Sequence, residues 1–180
     1  MTKKTKLELT WPGKEERPRL EPRILIEHPD KSYHAASPLS ATPSFVFNGV
    51  RKSPYQFQKF DSDPERRFAA LIDGGQMPEV LRWLRPAPGQ FDIEYDRGRR
   101  YEPDFVVECE DCKLIVEVKA ERDMNDPLVR EKARAAVAWV ENANGFSAEG
   151  DGKPWSYVLL SELDITQSLT IRGVKAKVSI

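Results

Sequence analysis

Three ionisable residues sit at the margins of apolar runs. Asp104 precedes Phe105-Val106-Val107, and Glu117 and Lys119 close the run Leu114-Ile115-Val116-Glu117-Val118-Lys119. Side chains alternate faces along an extended strand, so Glu117 and Lys119 project the same way, separated by roughly 6.5–7 Å of backbone rise. Leu114, Val116 and Val118 then point the other way, toward a core. Ionised groups in so apolar a strand are costly unless they are paired or hold an ion. A hairpin between the two runs brings Asp104 beside Glu117. Two carboxylates and an amine converging at a sheet edge suit metal-assisted phosphodiester hydrolysis. Asp104 and Glu117 are the expected ligands of Mg²⁺, a hard cation that takes oxygen donors, with Mn²⁺ as its substitute. The metal lowers the pKa of bound water and neutralises charge on the scissile phosphate. Lys119 orients the attacking water or stabilises the developing charge. The plain alternative for Glu117 and Lys119 is a surface charge pair on an exposed edge strand.

The elements that must position these groups begin at Asp61. Asp61-Ser62-Asp63-Pro64-Glu65 is a helix start, with a capping residue, a proline in the first turn and then an acid. Phe68, Leu71 and Ile72 recur at helical spacing, and Gly74-Gly75 stops the helix. Glu65 shares the face of Phe68 and Ile72, which makes it a candidate fourth site residue and metal ligand, direct or through water. Its alternative role is N-terminal helix charge favoured by the dipole. A second short helix is expected over Pro78–Arg85, burying Val80, Leu81 and Leu84. Strands are expected over Phe91–Tyr95, Tyr101–Cys109 and Lys113–Lys119, joined by turns at Asp96-Arg97-Gly98 and Glu110-Asp111-Cys112. Asp126-Pro127 opens a long helix striped by Val129, Ala133, Ala136, Val137, Trp139 and Val140, which Gly145 closes. Trp155–Leu160 reads as a buried strand and Leu169–Val174 as a last one. An antiparallel hairpin followed by a helical crossover implies an α/β fold, a mixed sheet flanked by helices with an αβββαβ core.

Residues 1–60 read differently. Prolines at 12, 18, 22, 29, 38, 43 and 54 interrupt any long helix or central strand. An extended or weakly ordered arm is expected there, with short strands at most at Arg23–Glu27 and Ser44–Asn48, ahead of one domain over 61–180. Hydrophobic residues make up 39% of the 180, enough for one sizeable core. The net charge of -1 excludes a globally basic nucleic-acid binder, so contact with DNA has to come from a local patch. Arg97, Arg99 and Arg100, with Arg82 and Arg85 upstream, form the densest basic cluster and are the candidate phosphate contacts; a solvated hairpin tip is the alternative. Cys109 and Cys112 lack the second pair a zinc site requires, and both histidines, His28 and His34, are remote in sequence. Trp83, Trp139 and Trp155 are assigned to packing. No long apolar run marks a signal peptide or a membrane span, so the expected location is cytoplasmic, with no membrane partner.

Pro103-Asp104 followed by Glu117-Val118-Lys119 resembles the PD-(D/E)XK nuclease motif, and the expected element order resembles that superfamily's core. Residues ~60–160 are similar to the C-terminal endonuclease domain of type III restriction subunits. The stretches that carry this are Pro64-Glu65-Arg66-Arg67-Phe68, Arg100-Tyr101-Glu102-Pro103-Asp104-Phe105 and Ile115-Val116-Glu117-Val118-Lys119-Ala120. The resemblance implies a restriction-endonuclease-like fold and a Mg²⁺-dependent endodeoxyribonuclease in restriction–modification or related DNA defence. It assigns the catalytic roles to Asp104, Glu117 and Lys119, and the helix acid to Glu65. The N-terminal run from Leu7 to Glu27 is similar to segments of restriction–modification methyltransferases. A methyltransferase and a helicase-like motor subunit are therefore the implied protein partners. The sequence carries no G-x-x-x-x-G-K-[ST] loop, so the expectation is a stand-alone nuclease, a shortened relative of those subunits, or a nuclease subunit that borrows a motor from a partner. Double-strand cutting usually needs two active sites, which makes a homodimer or a paired complex the expected assembly. The competing reading is a catalytically inert nuclease-fold module that binds DNA or assembles such a complex.

Overall fold

A computed structural model describes residues 38–147 and 152–177. The elements run α1 (Asp63–Asp73), β1 (Val80–Leu84), β2 (Ile93–Asp96), β3 (Arg99–Tyr101), β4 (Phe105–Cys109), β5 (Lys113–Lys119), α2 (Pro127–Ser147), β6 (Trp155–Ser161) and α3 (Ile171–Lys175). One mixed sheet has the order β1-β4-β5-β6, while β2 and β3 form a separate two-stranded hairpin. The pairs β1–β4 and β4–β5 are antiparallel, and β5–β6 is parallel across the α2 crossover. The protein is thus a mixed α/β fold with a four-stranded mixed sheet flanked by helices. Among the described residues no helix is long and apolar enough to cross a membrane.

Alternation along β5 divides the core in two. Leu114, Val116 and Val118 join Phe105, Val107, Val158 and Leu160 on one face, where Phe68, Leu71 and Ile72 of α1 and Ile171 and Val174 of α3 cover them. Ile115 faces the other way with Tyr157 and Leu159, beneath Ala133, Ala136 and Val140 of α2 and Ile93 and Tyr101 of the hairpin. Helix α1 starts where expected. The Ser62 hydroxyl accepts the Glu65 N–H at 3.3 Å, Ser62 donates to Glu65 Oε1 at 2.8 Å, and the Asp61 N–H donates to Glu65 Oε2 at 3.1 Å. This reciprocal cap, a variant of the capping box in which Glu65 takes the N–H of the residue before the N-cap, fixes the first turn. Trp83 is fully buried, whereas Trp139 and Trp155 are half-buried and meet edge to face with 5.1 Å between ring centroids.

Several elements differ from expectation. Pro78–Arg85 forms no helix; it contains the edge strand β1. A bulge between Val80 and Arg82 inserts one extra residue, so Val80 and Trp83 both point inward three positions apart while Leu81 is exposed. That spacing mimics a helical stripe. Phe91–Tyr95 contributes β2 to the outlying hairpin and not to the main sheet. Tyr101–Cys109 is not continuous, because Glu102-Pro103-Asp104 separates β3 from β4. Gly145 lies inside α2 and does not end it. Leu169–Val174 is not a strand: the Thr170 hydroxyl accepts the Gly173 N–H at 3.2 Å and caps α3, which buries Ile171 and Val174 on one side. At Ser44–Asn48 a 3₁₀ turn over Leu39–Ser44 precedes a single bridge between Phe47 and Gln58. The expected strand at Arg23–Glu27 and the methyltransferase-like run lie outside the described residues.

The stretch before position 61 is packed wherever the structure describes its core contacts. Phe47 and Phe60 are buried in the α1-side core, with ring centroids 5.4 Å apart. One buried carboxylate adds a polar anchor to this packing. Asp73, 2% exposed, accepts the backbone N–H groups of Arg51 (3.1 Å) and Lys52 (2.8 Å) and the Trp83 indole N–H (2.9 Å). The Lys52 carbonyl in turn accepts the Trp83 N–H at 2.9 Å, shielding the outer edge of β1. Asp73→Ala strands these donors in a dry site and is expected to lower the unfolding free energy by about 3 kcal/mol. Urea denaturation followed by tryptophan fluorescence measures this, and a loss under about 0.5 kcal/mol, the level of an ordinary surface substitution, would contradict the anchoring role.

Candidate active site

The register of the β4–β5 hairpin decides which groups meet. Phe105 pairs with Val116, so the next position outward sets Asp104 across from Glu117. The Asp104 N–H donates to Glu117 Oε2 at 3.4 Å, and the Val118 N–H donates to Asp104 Oδ2 at 2.8 Å. The ammonium of Lys119 lies 2.6 Å from Glu117 Oε1 and 3.5 Å from Asp104 Oδ2. Asp104, Glu117 and Lys119 are therefore one cluster at the end of the sheet. Glu117 lies deepest and is 5% exposed, while the Lys119 side chain remains 26% exposed and marks the side on which the cluster opens to solvent.

Burial governs the electrostatics. Desolvation, then the neighbouring charge of Asp104, pushes the Glu117 carboxyl up to about 7 against the opposing pull of Lys119. Burial also disfavours the charged form of Lys119, yet Asp104 and Glu117 outweigh it and hold the ammonium above the ordinary lysine range. Tyr101 and Tyr157 are pushed far above the usual phenol range, first by burial and then by the charge of Glu117. Both tyrosines thus back the cluster as neutral phenols.

Glu65 is placed beside this cluster but not within it. Its two oxygens are engaged by Ser62, by the Asp61 N–H and by Arg85, whose Nη2 lies 3.1 Å from Oε2. Burial, and next the charge of Asp104, raises its pKa, which marks the electrostatic proximity of the two acids. Among the described residues no three His, Cys, Asp or Glu side chains converge as a metal cage. The fit to a divalent ion rests on Asp104 and Glu117 alone: two hard oxygen donors already sharing one cation, with Asp104 and Lys119 partly exposed to solvent.

Arg97, Arg99 and Arg100 stand on the β2–β3 hairpin, all exposed. Gly98, at φ 71°, supplies the left-handed turn residue between them. Arg99 reaches Asp96 at 3.8 Å and Arg100 reaches Glu94 at 3.7 Å, long and weak pairs across the hairpin. Arg82 is paired with Glu108 at 2.5 Å, and Arg85 is drawn to the α1 cap. Neither upstream arginine is a freely disposed phosphate contact. Cys109 and Cys112 are buried free thiols flanking the β4–β5 turn, and burial pushes the Cys109 thiol up to about 12. Tyr157 and the Arg85–Glu65 pair escaped sequence reasoning. Only the parallel register, which sets Tyr157 opposite Ile115, places that phenol on the face of Glu117.

Neither a protein-family model nor a curated protein sequence matches this chain.

The pKa of Glu117 has a consequence for the metal-free protein. In the folded state its carboxyl binds a proton between about 4.5 and about 7, a range in which the unfolded chain has released it. The folded state then binds more protons, so unfolding free energy falls as pH rises through this window. Denaturation in EDTA at pH 5 and pH 7.5 is expected to show this loss, and Glu117→Gln is expected to reduce it. An unchanged pH dependence in Glu117→Gln would refute the assignment.

Proposed function

We propose that the protein is a metal-dependent endodeoxyribonuclease of the PD-(D/E)XK type, with a restriction-endonuclease-like fold. The observation that carries this reading is the contact of Lys119 with both Glu117 and Asp104 at one end of the sheet. The order of α1, β1, β4, β5, α2 and β6 supports it, because removal of the β2–β3 hairpin leaves helix, three strands, helix and strand. The comparison with type III restriction subunits rests on sequence stretches that map onto α1, the end of β3 and β5.

Asp104 and Glu117 would hold Mg²⁺, or Mn²⁺ in its place, and that ion supplies Lewis-acid neutralisation of a phosphate. Glu117, fixed by strand pairing on both sides, orients its carboxylate without a cost in rotamer entropy at the moment of reaction. Lys119 carries a fixed positive charge at the opening, where a phosphodiester and its attacking water must sit. Tyr101 and Tyr157 keep water from the far side of Glu117. Glu65, held by Arg85 and the α1 cap, shapes the local potential and is assigned the weaker, water-mediated role. DNA is the substrate of this reading. Restriction–modification or related defence, with a methyltransferase and a motor subunit as partners, comes from the sequence resemblance; a homodimer comes from the two cuts a duplex needs, and a cytoplasmic location from the lack of a signal-like apolar run in the sequence.

One observation favours the competing reading of an inert DNA-binding or assembly module: both Glu65 oxygens are occupied, which leaves two acids for the metal. Cleavage of plasmid DNA with and without Mg²⁺ separates the two. Metal-dependent cutting is expected, reduced by at least about 10²-fold in Asp104→Ala and in Lys119→Ala with thermal melting retained. Cutting that persists in both variants sinks the assignment. Calorimetry that detects no Mg²⁺ or Mn²⁺ binding, together with no cutting, supports the inert module.

A further inference from the structure

Beyond the cluster itself, the most distinctive arrangement lies where the hairpin meets α2. The Lys132 ammonium is 5.5 Å from the ring centroid of Tyr95 and 5.1 Å from that of Tyr101. The Arg99 guanidinium lies 5.2 Å from the same Tyr95 ring, and the two tyrosine rings meet edge to face at 5.9 Å. Tyr101 is tied to the helix by its hydroxyl, which donates to the Lys132 carbonyl at 3.2 Å. Two cations from different elements therefore converge on one aromatic pair.

The chemistry of this arrangement differs from that of an ion pair. An aromatic face holds a cation in place through its quadrupole but leaves the charge uncancelled and most of the N–H donors free. Among the described residues Lys132 has no carboxylate partner, and Arg99 has only the long contact to Asp96. On the hairpin Arg97, Arg99 and Arg100 stand with Glu94 and Asp96, and Lys132 adds a further cation from α2. The position is equally specific. Tyr101, whose ring carries Lys132, stands three residues before Asp104 and shares the α2-side core with Tyr157 on the face of Glu117. A strand of nucleic acid that meets Lys119 would have its neighbouring phosphates near this patch. Phosphate is the ligand that matches pre-positioned, unneutralised cations beside a phosphodiester-cutting cluster.

We infer that Lys132, with Arg99 on the same Tyr95 ring, grips a backbone phosphate of duplex DNA next to the cutting site. This rests on the nuclease reading above. It makes Lys132 a positioning residue on α2, and it makes the tyrosines a platform for cations and not for bases.

The test is the affinity of a fluorescent DNA duplex for the full chain in EDTA over a series of salt concentrations, alongside Mg²⁺-dependent cleavage. Lys132→Met keeps an apolar stem over the two rings and removes only the charge. It is expected to weaken binding about tenfold and to lower the slope of log affinity against log salt by about one. Arg99→Ala should act in the same direction, and Lys132→Arg should restore both affinity and slope. Duplex and single strand should weaken together. Wild-type affinity and salt slope in Lys132→Met, with wild type binding normally, overturn this inference and leave the nuclease reading standing. Weakening confined to single strands, which would indicate bases stacked on Tyr95, also overturns it. A wild-type protein that neither binds nor cuts DNA overturns the nuclease reading and this inference with it.

Discussion

The pairing of β4 with β5 imposes the constraint around which the remaining structure is arranged. It sets Asp104 opposite Glu117 at the end of the sheet, with Glu117 almost wholly removed from water. Burial, and next the charge of Asp104 beside it, make the Glu117 carboxyl resist ionisation. The Lys119 ammonium contacts both and offsets this, helped by the N–H groups of Asp104 and Val118. Hydrophobic burial of Val116 and Val118 on the opposite face locks the register that creates the problem. The cluster is thus a local electrostatic liability sustained by packing elsewhere, a usual property of sites that act on charged ligands.

The two sides of the sheet share this task unequally. On one face α1 and α3 cover an ordinary apolar core, and the N-terminal turn of α1 brings Glu65 and Arg85 to the margin of the cluster. On the other face α2 and the β2–β3 hairpin enclose Tyr101 and Tyr157 behind Glu117. The hairpin belongs to no larger sheet. It is held to α2 by Ile93, Tyr101 and the Tyr95–Lys132 contact, and it extends the second face outward beside the opening.

The residues of the cluster were legible because strand alternation is a strictly local rule. Period two in Lys113–Lys119 places Glu117 and Lys119 on one face whatever else the chain does, and the β4–β5 turn follows from the residues between the two runs. The bounds of α1 were legible from its cap for the same reason. β1 was misread because Val80, Leu81 and Leu84 recur at helical spacing, whereas the bulge turns Val80 and Trp83 inward and leaves Leu81 exposed. The last element was misread because Leu169–Val174 is apolar and β-branched in part, while the Thr170 cap outweighs that propensity. Which strand would occupy the edge beside β4 was hidden: Phe91–Tyr95 carries the strand pattern yet pairs only within the outlying hairpin, and Val80–Leu84, with its bulge, takes the edge. The anchoring of positions 51 and 52 by Asp73 likewise joins residues whose sequence contains no sign of each other.

One feature of the topology bears on how the chain reaches this state. Asp104, Glu117 and Lys119 all lie on a single antiparallel hairpin, whose closure entropy is that of a short loop. The parallel pairing of β5 with β6 spans the whole of α2 and carries the larger entropic barrier. The relative placement of the three groups is therefore written into the most local part of the long-range sheet, whereas their shielding from water depends on the most distant. A chain that has formed the hairpin without the crossover holds the three groups in order but solvated, with the charge on Glu117 no longer opposed by a dry surrounding.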